Sequence, residues 1–177
     1  MAGARRLALT LSGDSERVAR VKQYTWLTRP RTEDTNMKAT IRWAGGASFE
    51  GTAGSGHSVV MDGAPEAGGE NRGCRPMELL LLGLGGCTAF DVVAILRKAR
   101  QPVTGCVVEV AAERADQAPK VFTRIHLHYR VSGDGLSPKQ VERAVSLSKE
   151  KYCSASIMLG KSAELTHEVT IEGPAAA

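Results

Sequence analysis

Alternating apolar and polar positions downstream of Met37 indicate a series of β-strands. Three short segments, 38–43, 48–52 and 57–61, are separated by glycine-rich turns, the pattern expected of consecutive antiparallel hairpins. Residues 63–75 then include four glycines and a proline. Because these residues interrupt regular structure, we predict a mobile loop between the third strand and the next element.

Residues 76–100 are leucine-rich and predict a long helix. Proline at the first position, an acid in the first turn and basic residues near the end are typical helix signals. The segment is apolar nearly all round, which predicts a buried helix. Each of its three glycines costs roughly 1 kcal/mol relative to alanine, so we expect a close approach of another helix or backbone at Gly83, Gly85 and Gly86. Its longest uncharged apolar run, 79–90, is 12 residues. Spanning a membrane needs about 20 residues, so we expect no membrane partner.

The second half of the chain predicts a hairpin, two helices and a last strand. The hairpin occupies 106–131, and the sequence Ser-Pro-Lys-Gln at 137–140 has the form of a capping box at the start of an amphipathic helix. A short second helix follows with Ser154 as its N-cap, and a final strand runs over about 163–171. The order predicts one α+β domain with an antiparallel sheet over residues 37–173, followed by a short tail at 174–177.

Composition and charge change this picture little. The chain is 42% hydrophobic and 24% charged, as in soluble globular proteins. Residues 1–36 hold seven basic and four acidic residues, so most of the net charge of +4 belongs to this leader. Because the remaining chain has no basic stripe, we expect no nucleic-acid partner. The leader resembles no secretory signal, and we interpret it as a disordered extension or a start-site artefact on a cytoplasmic protein.

Two of the four cysteines have structural or incidental interpretations. The four are far apart and form no Cys-x-x-Cys pair, which argues against a disulfide framework or a zinc finger. Cys106 faces inward on a predicted strand, so a core role is favoured. Cys74 lies in the predicted loop, either as an incidental exposed thiol or as an alternative partner for another cysteine.

The other two cysteines, Cys87 and Cys153, are the candidate reactive thiols. Cys87 is either a small buried hydrophobe or a thiol to which neighbouring glycines give ligand access. An acid one turn later, Asp91, disfavours its thiolate if it faces the sulfur. Cys153 lies at the junction of two predicted helices, where unpaired N–H groups favour an anion, although it equally suits an interhelical corner. The sequence leaves open which thiol is more acidic.

A pair of histidines suggests a metal-binding protein, which is a weaker hypothesis. His126 and His128 share one strand face with spacing that can serve a metal, but Arg124 and Arg130 share that face as well. We therefore favour a solvated surface over a metal site. The sequence shows no Ser-His-Asp arrangement, phosphate-binding loop or His-Glu-x-x-His helix.

Three short motifs together resemble the OsmC/Ohr family of osmotically inducible and organic-hydroperoxide-resistance proteins. They are Arg-Pro-Met-Glu-Leu-Leu at 75–80, Gly-Gly-Cys at 85–87 and Lys-Tyr-Cys-Ser at 151–154, and the likeness extends over about 37–172. The resemblance implies an intertwined homodimer with a central helix and active sites at the interface. It also implies a thiol peroxidase in which Cys87 attacks a hydroperoxide and Cys153 resolves the sulfenic acid to a disulfide. A lipoylated protein or small thiol would be the reductant, and no metal, flavin or haem cofactor is implied.

The match departs from the family pattern at two positions. Peroxidase members place a glutamate ten residues before the cysteine, where this chain has Met77, and Glu78 is nine residues before Cys87. Nine residues of regular helix put Glu78 on the opposite side from the sulfur, so its inclusion as a third catalytic candidate needs a bend at the glycines. The activating arginine has no clear counterpart among the candidates at 42, 72 and 75. A non-catalytic dimer that binds a small apolar ligand, or senses oxidants, is therefore the competing hypothesis.

Overall fold

The computed structural model describes residues 37–174, and the interpretation of residues 1–36 as an extension lies outside the described part. Within it, six strands and three α-helices form an α+β fold with a long central helix, which confirms the predicted fold class. The elements are β1 (Ala39–Gly45), β2 (Ser48–Ala53), β3 (Ser58–Met61), α1 (Pro76–Lys98), β4 (Val103–Arg114), β5 (Phe122–Gly133), α2 (Pro138–Leu147), α3 (Ser154–Leu159) and β6 (Glu164–Glu172).

The first three strands form an antiparallel sheet in the order β1-β2-β3, as the alternating pattern predicts. Gly45 and Gly46 make the first turn with φ of 100° and 54°. Both values lie in the left-handed region that side chains other than glycine's rarely adopt. The glycine pair therefore fixes where the first hairpin reverses.

The loop before α1 has more internal structure than its glycine content predicts. The buried Asp62 carboxylate accepts backbone N–H bonds from Gly63 at 2.9 Å and from Glu70 and Arg72 at 3.0 Å each. These bonds, with the one from Arg72 the strongest, hold the pKa of Asp62 below its usual range. One side chain thus joins both ends of a segment that we expected to be mobile, and a 3-10 turn at Pro65–Ala67 lies between them.

The second sheet has the order β4-β5-β6. Its β4–β5 hairpin is antiparallel, as predicted, but β6 runs parallel to β5. The expectation of a wholly antiparallel sheet is therefore wrong at this strand. The reason is topological: the chain crosses from β5 to β6 through α2 and α3, and such a crossover returns the strand in the same direction.

Helix α1 packs against β4, α2 and α3 and buries one face in the core. That face consists of Leu84, Gly85, Thr88, Val92 and Leu96. Gly85 is where β4 comes close, because a Cβ there would meet Val110 Cγ2 at 3.3 Å. Among residues 37–174, nothing lies within 4 Å of a Cβ built at Gly83 or Gly86, so within this part of the chain close approach is confirmed at Gly85 alone.

The opposite face of α1 remains exposed in a single chain. Leu80, Leu82 and Phe90 are 46%, 59% and 76% exposed, whereas the sequence predicts a helix buried all round. By length and composition α1 also qualifies as a membrane-spanning helix, which the 12-residue apolar run did not predict. Its contacts with the sheet and with both other helices are those of a core helix.

The region between α2 and β6 corrects two predicted caps. Ser137 precedes α2, but its side chain makes no capping bond, and its N–H donates to Gln101 Oε1 at 2.9 Å. Helix α2 continues into a π-helical turn at Ser148–Tyr152. The N-cap of α3 is Cys153, not Ser154, because Cys153 has extended backbone angles and its Sγ accepts the Ser156 N–H.

Candidate active site

The fold brings the two candidate thiols together with an acid. The Sγ atoms of Cys87 and Cys153 and a carboxylate oxygen of Asp91 all lie within 4.8 Å of one another. Cys87 and Asp91 share one face of α1 because they are four residues apart. Cys153 reaches them from the start of α3, 66 positions later in the chain.

Backbone N–H groups in the first turn of α3 serve both sulfurs. The first N–H groups of a helix have no carbonyl partner within it. Here Ser156 N–H donates to Cys153 Sγ at 3.4 Å, and Ala155 N–H donates to Cys87 Sγ. The donor groups that the sequence predicted for Cys153 therefore act on Cys87 as well.

The remaining surroundings of Cys87 oppose its ionisation. Burial is the largest of the effects that raise the pKa of Cys87, followed by the hydrogen bond to the Cys153 thiol and the electrostatic effects of Cys153 and Asp91. The Ala155 N–H lowers it and offsets only part of this rise. The unfavourable effect expected of Asp91 is therefore present in the structure.

A chain of buried hydroxyl groups holds Asp91 from the core side. Tyr129 Oη lies 2.7 Å from Thr88 Oγ1, which lies 2.9 Å from Ser148 Oγ, and Ser148 Oγ lies 3.1 Å from Asp91 Oδ2. An ionised carboxylate only accepts hydrogen bonds, so Ser148 donates to Asp91. The Thr88 hydroxyl must then donate to Ser148, and the Tyr129 hydroxyl must donate to Thr88. Each of the three hydroxyl groups therefore donates its proton towards Asp91.

This series of hydrogen-bonded hydroxyl groups is isolated from solvent. Thr88, Tyr129 and Ser148 are each fully buried, and burial raises the pKa of Tyr129 to about 12. Tyr129 therefore stays protonated as a donor at physiological pH. None of the three hydroxyl residues is a candidate site residue from the sequence, although a lone threonine within an otherwise apolar helix was an available signal for Thr88.

Glu78 lies elsewhere. Its carboxylate accepts the Arg75 N–H at 2.9 Å and pairs with the Arg75 guanidinium at 3.4 Å, closing the first turn of α1. The helix continues without interruption from Pro76 to Lys98. Nine residues along a regular helix also separate Glu78 from Cys87 by about 13 Å in height, and the structure does not bring them together.

The other residues singled out in the sequence also lie outside this cluster. Cys106 is half-buried and packs against the core, while the half-buried Cys74 bridges to Met61 and lines a groove with Glu78. His126 and His128 belong to a polar network on the outer face of the second sheet: His126 bonds Thr166 at 2.8 Å, and His128 bonds Thr170 at 2.9 Å.

None of the three candidate arginines is among the described groups that shift the pKa of Cys87. Arg72 pairs with Glu70, and Arg75 pairs with Glu78, both at 3.4 Å. Arg42 lies on β1, exposed to solvent. The groups that determine the pKa of Cys87 include no basic side chain among the described residues.

Comparison with known proteins places this arrangement in a family. Residues 68–168 match the family model described as OsmC-like protein. Protein YhfA of Escherichia coli strain K12 is 44% identical over 135 residues, covering 76% of this chain and 98% of YhfA.

Solved structures share the fold. A hypothetical protein from Aquifex aeolicus is 30% identical, with a TM-score of 0.67 over 78% of this chain and 98% of the other. An organic hydroperoxide resistance protein from Elizabethkingia anophelis is only 15% identical but matches 80% of this chain and 100% of its own, with a TM-score of 0.63. The sequence motifs, the paired thiols and these matches agree, and the chain belongs to the OsmC-like family.

Proposed function

We propose that this protein is a thiol-dependent peroxidase that reduces organic hydroperoxides and contributes to oxidative stress defence. The observation that carries the proposal is the approach of the Cys87 and Cys153 sulfurs to within 4.8 Å in a family of this fold. A disulfide bond is about 2.05 Å long, so a side-chain movement of under 3 Å closes the pair. Structural relatives named for organic hydroperoxide resistance support the same substrate class.

In the proposed reaction, the Cys87 thiolate attacks the terminal peroxide oxygen. The O–O bond breaks, the alcohol leaves with a proton, and Cys87 becomes a sulfenic acid. Cys153 then attacks the Cys87 sulfur and water leaves. The resulting disulfide is the two-electron oxidised form of the cysteine pair. A dithiol such as a lipoylated protein, or a small thiol, restores both cysteines, and the cycle needs no cofactor.

A homodimer completes the proposal. Leu80, Leu82 and Phe90 leave an apolar surface on α1, and Gly83 and Gly86 leave open backbone beside it. Glycines on such a surface allow two helices to approach closely, so a second copy of α1 is the partner we propose. The protein would act in the cytoplasm, where thiols are kept reduced.

One observation favours a slower thiol protein, such as an oxidant sensor. Burial, Cys153 and Asp91 raise the pKa of Cys87, and a raised pKa lowers the thiolate fraction at neutral pH. A sensor or ligand-binding dimer tolerates slow oxidation, whereas a peroxidase does not. The rate of the first step therefore separates the two.

The test is stopped-flow oxidation of the reduced, metal-free protein by cumene hydroperoxide and by hydrogen peroxide. We expect cumene hydroperoxide to react at least about 100-fold faster than a free thiol at the same pH, followed by disulfide formation that Cys153→Ser abolishes. Rates equal to a free thiol for both peroxides would refute the peroxidase. Cys106→Ser is the matched control, since its half-buried thiol lies outside the cluster.

A further inference from the structure

We propose that Cys87, Asp91 and Cys153 also form a zinc site, and that zinc binding holds the two thiols in an unreactive state. The ligand set is two thiolates and one carboxylate, from α1 and the N-cap of α3. Zinc is the divalent ion that this mixture of sulfur and oxygen ligands suits best. The fourth coordination position would be taken by water or a small thiol.

The distances in the cluster fit a compact metal site. Zinc lies about 2.3 Å from thiolate sulfur and about 2.1 Å from carboxylate oxygen, which puts tetrahedral ligand atoms about 3.5 to 3.8 Å apart. The three donor atoms here are within 4.8 Å of one another. The separations therefore exceed the tetrahedral range by at most about 1.3 Å.

The charges of the cluster favour a cation. With both thiols ionised, the three ligand side chains that lie together carry three negative charges, which a divalent cation neutralises in part. A peroxidatic thiol is helped by a positive neighbour, whereas here the neighbour is Asp91. The acid that opposes a free thiolate is a suitable ligand for a metal that binds two thiolates.

The groups behind the ligands resemble the outer support of a metal site. Ser148 donates to Asp91 Oδ2 at 3.1 Å, and the buried hydroxyl chain beyond it fixes the orientation of the carboxylate. Backbone N–H groups of Ala155 and Ser156 donate to the two sulfurs. Such partners orient metal ligands and commonly change affinity 10–100-fold when removed.

A further polar atom near Cys153 lacks a partner. Ser156 Oγ is buried and makes no hydrogen bond within residues 37–174. Buried hydroxyl groups are nearly always satisfied. The Ser156 N–H donates to Cys153 Sγ. The unpaired Ser156 hydroxyl therefore belongs to a residue that already contacts a proposed zinc ligand.

The zinc site predicts a redox response, and this part alone rests on the proposed peroxidase function. A hydroperoxide, two thiolates and two protons give a disulfide, an alcohol and water as the O–O bond breaks and the S–S bond forms. Bound zinc keeps the sulfurs from reacting until it dissociates. Because disulfide sulfurs do not bind zinc tightly, oxidation of the metal-free form then prevents the ion from binding again.

The binding test uses the reduced, metal-free full chain titrated with Co²⁺ and then with Zn²⁺. We expect one ion per chain and a near-ultraviolet thiolate-to-cobalt absorption band that Zn²⁺ abolishes. Cys87→Ser and Cys153→Ser should each lose the band. Asp91→Asn, which keeps the side-chain volume and an oxygen that accepts from Ser148, should weaken binding at least about 10-fold.

Two matched control variants test whether metal binding is specific to the three proposed ligands. Glu78→Gln removes a carboxylate from the same helix, and Cys106→Ser removes a thiol that packs against the same core; both should bind Co²⁺ and Zn²⁺ as the parent protein does. Absence of the band, its persistence in Cys153→Ser, or unchanged affinity in Asp91→Asn would overturn the site.

The zinc result is separable from the peroxidase result. Peroxide oxidation is measured on metal-free protein in chelator, so a failure of zinc binding leaves that rate unchanged. The expected cobalt band and its loss on addition of Zn²⁺, together with no fast oxidation of the metal-free protein, would refute the peroxidase and leave the metal site standing. Zinc added to an active enzyme should slow the first oxidation step at least about 10-fold, and an unchanged rate would refute the inhibitory role.

Discussion

Two acidic side chains on helix α1 have very different surroundings. In the first turn of α1, Glu78 is half-exposed and closes the helix start through the Arg75 N–H. In the middle of α1, Asp91 is held by Ser148 and lies beside two sulfurs. The family resemblance suggested Glu78 as the catalytic acid, yet the acid that lies beside the two sulfurs is Asp91.

The comparison shows how surroundings decide what a carboxylate does. An exposed acid near a helix N-terminus stabilises the helix by about 0.3–1 kcal/mol. An acid that joins a buried hydroxyl chain to a thiol pair affects both core stability and thiol chemistry. The mutations below test this difference, beginning with the sulfur beside Asp91.

The largest effect should come from Cys87→Ser. Removing the attacking sulfur should lower hydroperoxide reduction about 1,000-fold or more, because a serine hydroxyl is not ionised at neutral pH. The measurement is steady-state cumene hydroperoxide consumption with a dithiol reductant. Cys74→Ser, whose sulfur lies in the groove beside Glu78, should stay within twofold of the parent. Activity retained by Cys87→Ser would assign the chemistry to another thiol.

The next effect concerns the hydroxyl chain that holds Asp91. Thr88→Val keeps the side-chain shape but leaves Tyr129 Oη and Ser148 Oγ without their shared buried partner. Each unsatisfied buried group costs about 1–3 kcal/mol, so the free energy of unfolding should fall by about 2 kcal/mol or more in urea titrations. Thr123→Val on the exposed part of β5 is the control and should change it by less than about 0.5 kcal/mol. Equal losses of unfolding free energy in Thr88→Val and Thr123→Val would show that the buried hydroxyl groups do not stabilise the fold beyond an exposed threonine.

Much of the fold was predictable from the sequence, because its signals are local. Alternation identified the strands, and proline, leucine and glycine patterns identified α1 to within a few residues. The parallel pairing of β6 was not predictable, since it depends on how α2 and α3 return the chain. The caps at Ser137 and Ser154 were wrong because a favourable residue type does not determine which backbone N–H its side chain reaches.

The candidate site was predictable in part. Cys87 and Cys153 were identified by motif, and the structure brings them together. Their link to Tyr129, Thr88 and Ser148 was not predictable, because these hydroxyl residues lie on three elements separated by up to 60 positions. The approach of the two thiols to α3 N–H groups depends on the same tertiary packing.

A smaller effect should follow from Asp91→Asn in metal-free protein. Burial, then Cys153, and last the Asp91 carboxylate raise the pKa of Cys87, so replacing that carboxylate lowers the pKa and increases the thiolate fraction at neutral pH. The oxidation rate at pH 7 should rise on the order of threefold to tenfold. The rising limb of its pH profile should move to lower pH.

The same variant gives a strong test of the role of Asp91. At pH values above the pKa of Cys87 in both proteins, the two rates should converge, because the thiol is then ionised in each. A slower rate for Asp91→Asn at all pH values would show that the carboxylate assists the reaction, for example by accepting the thiol proton. Circular dichroism and urea titration confirm that each variant is folded.

The smallest effect should come from Glu78→Gln. The amide oxygen still accepts the Arg75 N–H, so the variant loses only the charge at the helix start and the exposed ion pair with Arg75. The free energy of unfolding should fall by about 0.5 kcal/mol. Hydroperoxide turnover and its pH profile should match the parent within twofold. A loss of turnover beyond tenfold would mean that Glu78 reaches the site in a conformation other than this one, and the contrast between the two acids of α1 would fail. A profile shifted for Asp91→Asn but not for Glu78→Gln would place the acid that acts on Cys87 in the middle of α1.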